Sequence, residues 1–180
     1  MFVQIEVTPN PNSLKFLPGK KVSKSGPYEI NKMDNFENEL VKNILSVNGV
    51  EGIFLGQDFI SVNKNNETQW EEIKHIVISF INDFYVDGKE FVIDENIKEK
   101  VSDLSEIEQK IVKILEQKIR PAVARDGGDI KFKEFKDGVV KVQLQGSCSG
   151  CPSSTMTLKQ GVQNLLCHYL PEVKEVIAIQ

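Results

Sequence analysis

Apolar and polar residues alternate through MFVQIEV and again around SLKFL, so residues 2–7 and 14–17 read as short strands. The TPNPNS segment between them, with two prolines and two asparagines, predicts a turn. The period then lengthens. In NFENELVKNILSV, Phe36, Leu40, Ile44 and Val47 fall at helical intervals, and GVEGIFLGQDFISV reads as two strands around Gly56-Gln57-Asp58. A longer helix follows in QWEEIKHIVISFINDFY, where Trp70, Ile73, Val77, Phe80 and Phe84 make one apolar stripe. These first ninety or so residues contain the parts of a small α+β unit.

The polar run IDENIKEKVSD interrupts the pattern and is the natural place for a linker. After it, Ser105 and Glu108 have capping-box spacing, so a helix starts there and carries Ile107, Ile111, Ile114 and Leu115 inward. Pro121 kinks or ends it. Gly127-Gly128 turns the chain into strand Asp129–Phe135, and Lys136-Asp137-Gly138 is an Asp-Gly hairpin signal leading to strand Val139–Gln145. A cysteine-bearing loop, a helix over roughly Thr155–Tyr169 and a closing strand in EVKEVIAIQ complete the order α-β-β-α-β. The expected fold class is α+β, with two small α+β domains, 1–95 and 105–180, joined by a polar linker at 96–104.

Composition narrows the partners. With 40% hydrophobic and 27% charged residues and a net charge of −4, the chain has the makeup of a soluble globular protein. Its lysines are interleaved with acidic residues, so the basic footprint that nucleic acid demands is missing and no nucleic-acid partner is expected. No basic, apolar leader precedes the first strand and no run is long enough to cross a bilayer, so neither export nor a membrane association is expected. Three cysteines, an odd number, in such a chain argue for reactive thiols over a disulfide framework. The expected location is cytoplasmic, or the mitochondrial matrix for a processed organellar form.

The chemistry concentrates in GSCSGCPSST, which sets Cys148 and Cys151 in a Cys-x-x-Cys pair between a strand and a helix. There the thiols meet unpaired N–H groups and the positive end of the helix dipole, which favours thiolate. Gly150 lets the loop fold back and Pro152 suits a first helical turn, so the loop is expected to present both thiolates outward. Buried cysteine often acts only as a small hydrophobe. Here the Gly and Ser surroundings offer no apolar pattern to bury the pair.

A thiolate centre usually takes four ligands, and one chain offers two. Cys167 lies about half a turn around its helix from the stripe of Leu158, Val162, Leu165 and Leu166, which makes it a bystander or a packing residue. Neither His75 nor His168 has ligand spacing to the pair. Two chains related by a twofold axis supply the missing thiolates, and four of them suit a [4Fe–4S] cluster or, as second choice, a tetrahedral zinc. A shared, surface-accessible centre is labile, which serves a protein that hands its cluster on. The competing use of the same pair is thiol–disulfide exchange, although the hairpin before it replaces the βαβ pattern of thioredoxin-like sites.

RPAVARDGGDI at Arg120–Ile130 with VVKVQLQGSCSGCPSSTMTLKQGVQNLL at Val139–Leu166 resembles the NifU-like C-terminal domain of Nfu-type iron–sulfur cluster proteins. TPNPNSLKFLPG at Thr8–Gly19 and GVEGIFLGQDFISV at Gly49–Val62 resemble the Nfu amino-terminal domain. The resemblance implies a scaffold and carrier, not an enzyme. It implies a homodimer that binds a [4Fe–4S] cluster through Cys148 and Cys151 of each chain, with [2Fe–2S] as a conceivable precursor. It also implies an upstream cluster donor and apo iron–sulfur proteins as recipients. Asp126 and Asp129 are expected to be architecture, because thiolates outcompete carboxylates for such a centre.

Overall fold

The computed structural model describes residues 2–34, 36–93, 104–149 and 152–179, with backbone alone at 152–154. The chain divides into two compact units, Met1–Lys98 and Glu99–Gln180. The linker expected at 96–104 lies outside the described residues apart from Leu104.

The first unit runs β1 (Gln4–Val7), β2 (Ser13–Leu17), β3 (Tyr28–Asn31), α1 (Glu39–Ser46), β4 (Val50–Leu55), β5 (Ile60–Lys64) and α2 (Trp70–Val86). Its five strands pair antiparallel in the order β1-β2-β5-β4-β3. The predicted turn is held by its own side chains: Asn10 Oδ1 accepts from Asn12 N at 2.9 Å and Thr8 Oγ1 donates to Ser13 O at 3.0 Å. Lys64 Nζ then ties it to β5 through Asn12 Oδ1 at 2.9 Å. Helix α1 is shorter than its apolar spacing suggests because Asn38 caps it, accepting from Val41 N at 3.2 Å, so Phe36 packs on the core from outside the helix. Strand β3 was not legible in the sequence. Only Ile30 of its four residues is buried, opposite Ile53.

The second unit is a three-stranded sheet, β6 (Gly128–Lys136), β7 (Val139–Gly146) and β8 (Glu175–Ile179), in the order β6-β7-β8. Strands β6 and β7 form the expected hairpin, and Asp137 (φ 53°) with Gly138 (φ 87°) supplies the two positive φ values that a two-residue primed turn needs. Strand β8 runs parallel to β7, and α5 (Pro152–Tyr169) makes the crossover. Ile111, Leu115, Val123, Ile130, Val140, Val142, Val162, Leu166 and Val176 fill its core, each at most 2% exposed.

Pro121 kinks its helix without ending it. Glu108 accepts from Ser105 N at 2.9 Å and from Ser105 Oγ at 2.6 Å at the start of α3 (Glu106–Ile114), and these bonds hold the Glu108 carboxyl below its ordinary range. A π-turn over Leu115–Ile119, closed by Arg120 N–H donating to Leu115 O, leads into α4 (Arg120–Arg125). Proline cannot donate to the carbonyl one turn back and crowds it, and the wider turn relieves that clash.

Candidate metal centre

Strand β7 is central in its sheet, and the cysteine loop leaves its carboxyl end for the crossover helix. Gly146 (φ 68°) turns the chain out of β7, Ser149 N donates back to Gly146 O at 3.1 Å, and α5 begins at Pro152. The order strand, loop, helix is as expected. Cys151 and Gly150 lie outside the described residues.

The structure differs from expectation at Cys148, which is 5% exposed and packed with the unit's core instead of facing outward. The cause is the Asp-Gly-Gly-Asp turn below it. Ser147 N donates to Gly127 O at 3.2 Å and the Ser147 hydroxyl donates to the Asp126 carbonyl, so the loop is drawn down onto that turn. A Cβ at Gly128 would stand 2.8 Å from Cys148 Sγ, 3.2 Å from Cys148 N and 2.5 Å from Gln145 O. The sulfur occupies space that exists only because residue 128 is glycine. Thr155 Oγ1, from the start of α5, reaches the Cys148 carbonyl at 3.5 Å.

Both aspartates serve this architecture. Asp126 offers its backbone carbonyl to the loop. Asp129 is buried, and Arg120 Nε and Nη2 grip its two carboxylate oxygens at 2.8 Å each, tying the start of α4 to the start of β6. This bidentate pair was not legible in the sequence, nor was the seat at Gly128. Replacing Arg120 with alanine leaves a buried carboxylate without its cation, a change that costs about 3 kcal/mol. The expected result is roughly a hundredfold loss of hydrogen-exchange protection at the Val140 and Val142 amides, partly restored by adding Asp129→Asn. Unchanged protection in Arg120→Ala would show that the pair does not hold the sheet.

The remaining candidates stay apart from the loop. Cys167 is half-buried against the core, as a packing residue. His168 is exposed and stacked edge-on with Tyr169 at 5.1 Å, and His75 lies on the exposed side of α2 in the first unit. Among the described residues no three His, Cys, Asp or Glu side chains converge as a metal site, and no helix is long and apolar enough to cross a membrane.

Comparison with known proteins places both units. The family described as "Scaffold protein Nfu/NifU N terminal" matches residues 3–88, and "NifU-like domain" matches residues 111–177. "NifU-like protein 4, mitochondrial" of Arabidopsis thaliana is 41% identical over 184 residues, covering 98% of this chain and 65% of that protein. "NFU1 iron-sulfur cluster scaffold homolog, mitochondrial" of Homo sapiens is 41% identical over 180 residues, covering 98% of this chain and 71% of that protein. The chain thus spans about two thirds of the length of these relatives. A solution NMR structure of a NifU-like protein from Saccharomyces cerevisiae, 27% identical, covers 53% of this chain and 86% of its own, with a TM-score of 0.48.

Proposed function

The chain belongs to the Nfu family of iron–sulfur cluster scaffold proteins, and on that premise we propose that it carries a [4Fe–4S] cluster between two copies of itself and passes it to apoproteins. Cys148 and Cys151 of each copy are the ligands. The observation that supports this is the position of Cys148 at the carboxyl end of a central strand, seated on a turn that holds its backbone from below. Two soft thiolates per chain, doubled by a twofold axis, complete the ligand set of a cubane cluster.

The seat gives the site two positions. In the single chain the Cys148 sulfur rests against Gly128; for ligation it turns about χ1 toward the second copy, while the Ser147 and Thr155 bonds keep the backbone in place. Handing the cluster on is ligand exchange without net redox change. A recipient thiol forms a new iron–sulfur bond as a Cys148 or Cys151 bond breaks, and the incoming thiol's proton goes to the departing thiolate. On this reading the protein is a carrier and not an enzyme. An upstream donor fills it, and the work takes place in the cytoplasm or the mitochondrial matrix. The first unit, 1–95, serves recipient recognition or regulation, and 105–180 holds the cluster. Disulfide exchange by the same pair fits less well, since the hairpin β6–β7 stands before the loop where thioredoxin-like sites have a βαβ unit.

Native mass spectrometry after anaerobic reconstitution with iron and sulfide tests the proposal, because one mass reports subunits and centre together. Two chains with four irons and four sulfides are expected. A bare monomer, or a dimer carrying zinc, overturns it.

A further inference from the structure

The first unit ends its sheet on β1, and three features of that edge occur together. Strand β1 pairs only with β2, so along its other side the backbone N–H and C=O groups of Gln4–Val7 make no bond with a described residue. Exposed apolar side chains stand along it, Phe2 just before the strand at 82%, Val7 at 88% and Ile5 at 39%, while the strand's one charge, Glu6, is paired with Lys15 Nζ at 3.1 Å. Ile5 and Val7 stand opposite Phe16 and Leu14, both buried, so the apolar face of the sheet runs out to its rim uncovered. Beside this edge lies a cleft of ≈ 480 Å³ lined by Phe2, Gln4, Leu17, Gly19, Lys20, Lys21 and Asp58. Neither lysine makes an ion pair with a described residue. The opposite edge is built differently. On β3 the Asn31 N–H is taken by Asp34 Oδ2 at 2.7 Å, which occupies a donor that an added strand would need.

We propose that β1 is a docking edge for an extended, acidic segment of a partner polypeptide, which adds to the sheet as a sixth strand. Main-chain bonds to β1 supply the register, and apolar residues at alternate positions lie beside Ile5 and Val7. A carboxylate beyond the paired stretch reaches Lys20 and Lys21, whose two positive charges against the single Asp58 select acid over base. This gives the first unit a means of recognising partners that does not involve the cysteine loop, so it stands or falls separately from the cluster proposal.

A random-peptide phage library panned on the full-length chain tests it without assuming a sequence. Selected peptides are expected to alternate apolar residues and to carry Asp or Glu at one end. Selection fails on Val7→Lys, a change at an exposed position that leaves folding intact, and turns toward Lys and Arg on the double variant K20E/K21E. The best acidic peptide, titrated into the labelled chain, shifts amide resonances of residues 3–7 and 19–21 and binds at least tenfold more weakly to either variant. Peptides indifferent to both variants, or shifts that map elsewhere, overturn the proposal. So does a dimerisation of the wild-type chain that light scattering shows to vanish in Val7→Lys, for then the edge is occupied by a second copy.

Discussion

Serine at Cys148 or at Cys151 is expected to abolish cluster loading, while serine at Cys167 leaves it intact. A shared centre loses two of its four ligands when each chain loses one, and a serine hydroxyl at neutral pH is a far weaker ligand for iron than a thiolate. Cys167 lies near the far end of α5 and packs on the core beside Leu166, remote in sequence and in helix phase from the loop. Iron and sulfide content after anaerobic reconstitution, with the visible absorption of the cluster, gives the readout, and far-UV circular dichroism of each apo variant separates loss of ligation from loss of fold. Cys148→Ser keeps the shape of the side chain, so its seat on Gly128 stays filled and the fold is expected to persist. A Cys167 variant that holds no cluster would remove the ligand assignment, as would a Cys148 variant that loads like the wild type.

What the sequence made legible, and what it hid, divides along the distance over which each feature acts. Periodicity located α2 and α5, and the Asp-Gly pair gave the β6–β7 hairpin, because both signals sit within a few residues of their effect. Pro121 announced a perturbed helix in the same local way. Strand β3 failed as a signal because four residues with one buried side chain are too short to show alternation. The features that shape the site are nonlocal. Arg120 grips Asp129 across nine residues and a turn, and Gly128 makes room for a sulfur twenty residues ahead. Gly127-Gly128 announces a turn, and only the fold shows that the second glycine is needed for the space it leaves instead of its backbone angle, since Gly127 alone has positive φ, 83°. The Gly and Ser around Cys148 suggested an exposed loop for the same reason. The core it belongs to is built from β6 and α5 as well, with Ile130 and Val162 among its members.

Alanine at Gly128 is therefore expected to do to the site what no loop substitution of similar size would do. The added methyl meets Gln145 O at 2.5 Å, and that carbonyl is fixed by the β6–β7 ladder in which Gly128 faces Gly146 and Asp129 faces Gln145. It also meets Cys148 Sγ at 2.8 Å, and the sulfur, unlike the ladder, can turn away. Overpacking of this kind costs about 1–3 kcal/mol; the strand backbone shifts to clear the carbonyl, and the thiol leaves its seat to clear the methyl. Alkylation of Cys148 by iodoacetamide, measured in the apo chain with Cys151 and Cys167 replaced by serine, is expected to accelerate at least tenfold in Gly128→Ala. Cluster retention in the otherwise unmodified chain is expected to fall, because the thiol no longer returns to a fixed position between transfers. Gly161, inside α5 with nothing within 4 Å of an added Cβ, is the control. Alanine there removes a helix-weakening glycine, worth up to about 1 kcal/mol, and leaves both alkylation and loading unchanged. Equal alkylation rates in the wild type and Gly128→Ala would mean that the sulfur does not depend on the glycine, and the two-position account of the site would fall with that result.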